Sequence, residues 1–479
     1  MEGYKISIPD IGEVVIKISL VGGSSVEWSK PFNAARCVNM YPVVDKQGSE
    51  VSALYGTPGL DLFATAGFGP VRGELAAANG RAFAVSDSRL FELDLAGTAT
   101  ERGSLDSSAG IVTMADNGFQ LAICDGDKVY IFTYATNAFA KVTDPDLPSA
   151  GAIDFVNGYF VINENNSGKF YISALYDGLS WGALDFASAE SSPDNLTRAV
   201  SFVGQLGLYG ANTLEIWRNT GDSVFPFSRI SGATPIGCTA PNTIRSIDTS
   251  QFWVGSNDEG SGIVYKAQGF NPTRVSTNAI ELKLQAVSDP TQLYAWHYQR
   301  DGHVFYIISG SDLETSLVFD ISTELWHELA YSNDGVYEQH LGSCCMYAFG
   351  KHLVGDRNDG NVYELSKDVY TDNENYIKRL RVYTHLNDEL KQIRYSKLKL
   401  LLESGVGLQS GQGSDPLISL RISKDGARTW GDSYSTSMGA VGEYQTDVEW
   451  RRLGISQVCT FEISTAEPVK QAWIGSYLN

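Results

Sequence analysis

Positive charge is scarce in this 479-residue sequence: 36 Lys and Arg stand against 56 Asp and Glu, a formal charge of −20. Binding along a nucleic-acid backbone needs clustered cations that displace counterions, and this balance argues against it. It argues equally against docking on an anionic membrane. Cysteine is also sparse. None of Cys37, Cys124, Cys238, Cys344, Cys345 and Cys459 forms a Cys-x-x-Cys pair, and a disulfide between the adjacent Cys344 and Cys345 would be strained. They read as buried, reduced thiols made in a reducing cytoplasm. Long hydrophobic runs are missing, so no transmembrane helix or other membrane anchor is expected. The opening "MEGYKISIPDIGEVVIKISL" has no basic stretch ahead of an apolar core, the pattern of a secretory leader. Runs of Ala, Leu, Glu and Lys are few, which disfavours long helices.

What the chain does have is 48 glycines, 24 tyrosines and 21 phenylalanines, with 43% hydrophobic residues. Aromatic residues with frequent tight-turn glycines favour strands, and the length predicts two or three domains. Seven segments repeat one layout: an apolar strand, a turn usually holding Gly, a second strand, a polar turn, then an aromatic third strand. They cover 76–94, 114–134, 154–175, 200–218, 247–269, 298–320 and 346–366. Taking the first turns at Gly80, Gly118, Gly158, Gly204, Gln251, Gly302 and Gly350, the steps run from 38 to 51 residues. That is the period of propeller blades, small sheets that hide both faces by stacking around an axis. Asn79-Gly80 and Asn157-Gly158 suit the primed turns of hairpins.

The fold class is therefore all-β: a β-propeller of about seven blades with an additional C-terminal β-sandwich. Residues 71–370 form the propeller. Residues 371–479 hold strands at sandwich spacing, including "SKLKLLLESGVG" and "PLISLRIS". Residues 1–70 are an N-terminal β segment with loops, expected to pair with the sandwich or close the ring.

The chemical motifs are weak. "SKDGARTW" (423–430) resembles the Asp-box of sialidases in Ser423, Asp425, Thr429 and Trp430, but Ala427 replaces the Gly. It occurs once, outside the blades, and reads as a hairpin in which Ser and Asp side chains bond the turn backbone and Trp430 packs beneath. "HELA" (327–330) opens like a zinc-protease helix, yet Tyr331 stands where the second histidine belongs. "GDRNDGNVYE" (355–364) misses the register of a calcium loop and matches a blade turn better. Nucleophile elbows and phosphate loops are absent. Seven Lys/Arg within 378–399 offer either a docking face or the solvated positions of sandwich strands. No catalytic, metal or cofactor-binding residue, and no cofactor, is assigned; the partner-binding surface stays open.

"ARCVNMYPV" (35–43), "YGTPGLDLF" (55–63), "GPVRGEL" (69–75) and the closing "SKDGARTW…VEWRRLGISQVCTFEIS…PVKQAWIGSYL" resemble one family. These are the tail accessory factors, or packaged-DNA-stabilisation proteins, of short-tailed double-stranded DNA phages. The resemblance implies a non-enzymatic virion protein, assembled in the host cytoplasm, that forms a hexameric nozzle or hub ring below the portal and adaptor. It implies DNA retention and ejection, with contacts to a tail needle or plug and, in some members, to fibres or spikes. DNA would cross the channel without specific binding, because an acidic lumen offers its phosphates no cation. By position, Asn39, Tyr41, Pro42, Thr57, Pro58, Gly59, Arg72 and Gly73 carry the family pattern. Pro42 and Pro58 read as fixing extended or turn backbone, and Gly59 as permitting a positive φ. Two alternatives stand beside this reading: a glycan-active tail hydrolase or lyase, and a monomeric propeller interaction module.

Overall fold

The structure, a computed structural model, describes residues 15–44, 52–189, 194–230, 232–257 and 260–479. Residues 1–14, on which part of the leader reading rests, lie outside them. The chain divides into two compact units, one of residues 58–377 and one that joins 1–57 to 378–479.

Within 58–377 the described residues form seven four-stranded antiparallel blades. Six are contiguous, at 71–104, 113–141, 150–188, 196–229, 237–274 and 294–333. The seventh takes three strands from 342–366 and its fourth from Gly59–Thr65, which pairs antiparallel with Asn361–Ser366. Successive first strands touch one another, and the seventh touches the first, so the ring is closed. Residues 58–70, assigned by sequence to the N-terminal segment, are thus part of the propeller. A lone strand there carries no repeat signal, because its hairpin partners lie some 300 residues away.

Each repeat shows three strands in sequence and four in space. The fourth strand runs along the outer rim, as in Ala138–Lys141 and Asn271–Arg274, where nearly every residue is exposed. Without a buried face it needs no apolar alternation, so pattern reading misses it. The first turns follow the sequence in part. Asn157-Gly158, Val203-Gly204, Asp301-Gly302 and Phe349-Gly350 hold two successive left-handed residues, as primed hairpin turns require. Asn79-Gly80 does not: Gly80 alone has positive φ, in a longer turn closed by Ala77 N–H to Arg81 O. In the fifth blade the turn falls at 248–249, and Gln251 sits in the second strand opposite Ser246.

Apolar cores lie between neighbouring blades, since each small sheet has two faces to cover. An aromatic pair spans several of these interfaces. Phe83 meets Phe132 at 5.4 Å, and Phe170 meets Trp217, Tyr209 meets Trp253 and Phe252 meets Tyr306 at 5.3 Å. A helix the sequence pattern did not flag, Asn278–Gln285, seals the fifth-to-sixth interface with Ile280 and Leu284. Their i, i+4 spacing was the available signal.

The second unit is a sandwich built from both ends of the chain. One sheet orders Met40–Val44, Ser52–Gly56, Ala472–Leu478, Ile393–Leu402 and Val448–Ser456, with Ile16–Ile18 on the closing strand. The facing strands include Ala34–Val38, Arg379–Val382, Val458–Thr465, Leu417–Ser423 and Tyr434–Ser437. Trp473, Phe461, Ile463, Leu398, Leu420, Cys37 and Leu54 fill the core between them. The sandwich thus begins at residue 378 rather than 371, and it needs residues 16–56 to be complete.

Candidate functional site

The first strands of the blades surround the propeller axis, and six of them line a cavity of about 190 Å³ there. Arg72, Gly73 and Glu74 come from the first blade, Arg198 from the fourth, Arg245 from the fifth, Trp296 and His297 from the sixth, and Cys344 from the seventh. Next to it, a cleft of about 550 Å³ opens at the first-turn ends of blades five to seven, lined by Asp248, His297, Arg300, Asp301, Tyr347 and His352 among others.

Arg72 is a structural clamp. Its Nε donates to Gly110 O at 2.7 Å and Nη1 to Asp87 O and Ser107 O, both at 2.8 Å. Nη2 donates to Ser107 Oγ at 2.9 Å and Ala109 O at 2.6 Å. Its donors are spent on the turn at Asp87 and on the loop that carries the chain into the second blade. Gly73 allows that approach, because a Cβ there would stand 2.8 Å from Val112 O. Glu74 has both carboxyl oxygens buried, and burial pushes its pKa well above the usual range, which favours the neutral form. Burial, reinforced by the Arg245 charge, pulls His297 down to about 4, so it is a neutral imidazole at pH 7.

The other pattern residues are structural too. Asn39 sits at φ 55° and donates through Nδ2 to Lys378 O at 2.9 Å, while its carbonyl accepts from Thr57 N at 3.1 Å. Tyr41 meets Tyr55 edge-on at 6.3 Å, and Pro42 lies opposite Leu54 in the sandwich. Pro58 is buried where the propeller unit begins. Gly59 is not a positive-φ residue. A Cβ there would fall 2.4 Å from Thr371 O and 2.5 Å from Val369 O, so glycine serves close backbone approach, not turn geometry.

The motifs weighed in the sequence resolve locally. In the Asp-box, Ser423 Oγ accepts from Ala427 N at 2.9 Å, and Asp425 Oδ1 accepts from Arg428 N and Thr429 N, each at 3.0 Å. Thr429 Oγ1 donates to Asp425 Oδ2 at 2.5 Å, and these bonds hold the Asp425 pKa far below its ordinary value. Ala427 takes φ 63°, the left-handed conformation for which glycine is favoured. Trp430 does not pack beneath the turn into the core; it is half-buried, 5.7 Å from the Arg421 guanidinium. His327 lies on a strand, Leu325–Asn333, so its spacing to residue 331 cannot form the two-ligand face of a helix. Residues 355–364 make a blade turn in which Asp356 Oδ1 caps Asn358 N at 2.7 Å and Oδ2 accepts from Tyr363 Oη at 2.8 Å. Among the described residues no three His, Cys, Asp or Glu side chains gather as a metal group.

The basic stretch is not fully solvated. Arg379 and Arg381 are buried, and Arg381 donates to Leu20 O at 2.7 Å, Gly23 O at 3.1 Å and Arg36 O at 3.2 Å. Sequence periodicity shows such an arginine as a strand residue; only the neighbouring N-terminal carbonyls reveal it as a clamp. The six thiols are free. Cys37, Cys124, Cys238 and Cys459 are buried, whereas Cys344 and Cys345 are half-buried at the axis, not sealed in the core as the sequence suggested.

The class this architecture defines is an all-β protein of two units, a seven-bladed propeller and a β-sandwich. Two family profiles match it: Bacteriophage P22 Gp10, beta-propeller, over residues 16–370, and Bacteriophage P22 Gp10, beta-sandwich, over 378–479. The chain belongs to the Bacteriophage P22 Gp10 family and is a structural protein of the phage tail. Among curated proteins no relative matches.

Solved structures are similar at low identity. The extracellular domain of BT4673 from B. thetaiotaomicron shares 10% identity at TM-score 0.44, covering 79% of this chain and 47% of that one. A catalytically inactive virginiamycin B lyase from Staphylococcus aureus shares 11% at TM-score 0.44, covering 64% and 98%. The Pan2 WD40 domain of Neurospora crassa shares 9% at TM-score 0.41, covering 65% and 95%. The chain spans about half the length of the BT4673 domain, and at these scores the likenesses carry no argument about function.

Proposed function

We propose that the protein forms a hexameric nozzle or hub ring below the portal and adaptor, where it retains packaged DNA and conducts it during ejection. The observation that supports this is the match of both P22 Gp10 profiles, which together account for nearly the whole chain. In this reading the chain is not an enzyme. It meets copies of itself, the adaptor, and a needle or plug protein, and it assembles in the host cytoplasm before joining the virion tail. The surplus of 20 negative charges suits a DNA conduit, because a wall poor in cations lets phosphates slide past. Retention then falls to the plug.

The test is an assembled-tail map with a count of subunits, paired with particles made without this protein. Six copies around the DNA path, and particles that fill and then lose their DNA, are the expected results. A ring wall dominated by Lys and Arg, or particles that keep their DNA, would overturn the reading. Cleavage of host polysaccharide by the purified protein would instead favour the hydrolase alternative.

A further inference from the structure

The axial cavity holds more positive charge than its own residues neutralise. Arg198 is 8% exposed, donates through Nη1 to Pro241 O at 3.1 Å, and has a buried Nε without a partner. Arg245 reaches the same cavity from the next blade and donates through Nη1 to Ile244 O at 2.7 Å. Among the described residues neither arginine forms a salt bridge, and each guanidinium carries five donors. The two are close enough that the charge on Arg198, after burial, helps pull Arg245 down to about 10, which still leaves it charged at neutral pH.

Three arginines, Arg72, Arg198 and Arg245, line the cavity against one carboxyl, Glu74. Burial pushes the Glu74 carboxyl well above its usual range, which favours its neutral form. Asp154 offsets part of the Arg198 charge, but it does not line the cavity, and its Oδ1 accepts from Phe155 N and its Oδ2 from Ser201 N, both at 2.7 Å. His297 is neutral, the nearby thiols of Cys124 and Cys238 are pushed up to about 12, and Arg72 has spent its donors on carbonyls. A buried cation such as Arg198 is costly unless it is fully paired, and the half-buried Arg245 beside it adds like charge. A cavity of about 190 Å³ lies where a counter-charge would sit.

We propose that the propeller axis is an oxyanion site, in which Arg198 and Arg245 together hold one tetrahedral anion of phosphate size. Two guanidinium forks from adjacent blades suit it, because each can offer paired N–H donors to two oxygens. The anion would tie the fourth blade to the fifth at the centre of the ring. This inference is independent of the tail-ring reading and stands or falls without it.

The test uses the full-length chain and inorganic phosphate, titrated calorimetrically at fixed ionic strength in a zwitterionic buffer. One saturable site per chain is expected. Arg245→Gln should weaken phosphate at least tenfold, and Arg245→Lys, which keeps the charge but loses the fork, should fall between. Arg198→Gln should do the same if it folds, as judged by its melting profile; where it does not, the Arg245 pair decides. A structure determined with tungstate should place the metal atom of that anion between the two side chains. Absence of saturable binding, affinity unchanged in both Arg245 variants, or an anion located elsewhere would overturn the proposal.

Discussion

The propeller and the sandwich differ in how far the chain travels to complete a sheet. Six blades are closed by neighbours in sequence, each within about 40 residues, and only the seventh borrows a distant strand, Gly59–Thr65. In the sandwich the long-range pairing is the rule: Ile16–Ile18 lies on Ala472–Leu478, and Ala34–Val38 lies on Arg379–Val382. Local closure repeats a pattern along the chain, whereas non-local closure ties the two ends together. The propeller should tolerate loss of the ends, and the sandwich should not.

The largest effect that would break this comparison is a deletion. A fragment of residues 58–377 retains all seven blades and should fold cooperatively, while 378–479 alone lacks the strands of residues 16–56 and should remain unfolded by circular dichroism and proteolysis. A folded 378–479 would refute the claim that the N-terminal strands are integral.

Acid should separate the two units next. His297, His327 and His340, all in the propeller, are held at about 4 chiefly by burial. The unfolded imidazole protonates near 6.5, so the unfolded chain takes up protons first and propeller stability falls as pH drops from 6.5 to 4. Each histidine contributes up to about 3 kcal/mol to that loss. The sandwich holds none of these three imidazoles and should keep its transition over this window; parallel loss in both units by pH-dependent calorimetry would count against the assignment.

Core truncation follows. Trp473→Ala empties the centre of the sandwich and should cost about 3–5 kcal/mol in denaturant titration, shifting the sandwich transition and leaving the propeller's in place. At the seventh blade, Gly59→Val puts a side chain against Thr371 O and Val369 O. It should cost about 1–3 kcal/mol and speed hydrogen exchange at the Asn361–Ser366 pairing more than in any contiguous blade. The smallest effect belongs to Asp425→Asn, which weakens the exposed Asp-box turn. The depressed carboxyl contributes stability that is complete above about pH 3.9 and is lost only as acid approaches its low folded pKa, so wild type and variant should converge there.

Much of the fold was legible because the blades repeat buried strands at a steady period. The repeat could not show the exposed fourth strands, which bury no face, or Gly59–Thr65, which has no partner nearby in sequence. At the site, no residue type marked Arg198 or Arg245. Each sits in an ordinary strand, and their common cavity exists only because the ring brings the fourth and fifth blades to one axis. Arg381 is similar: a basic residue in a basic run became a buried clamp once residues 20–36 folded over it.

The sequence by itself determined the all-β class, the blade period and the acidic surface, because alternation, turn glycines and net charge are local or additive properties. Only the tertiary structure decided which strand closes the ring, which arginines lose their solvent, and why Gly59 must be glycine. Those outcomes depend on backbone carbonyls and neighbouring blades far away in the chain, and burial changes what a charge or a missing Cβ is worth.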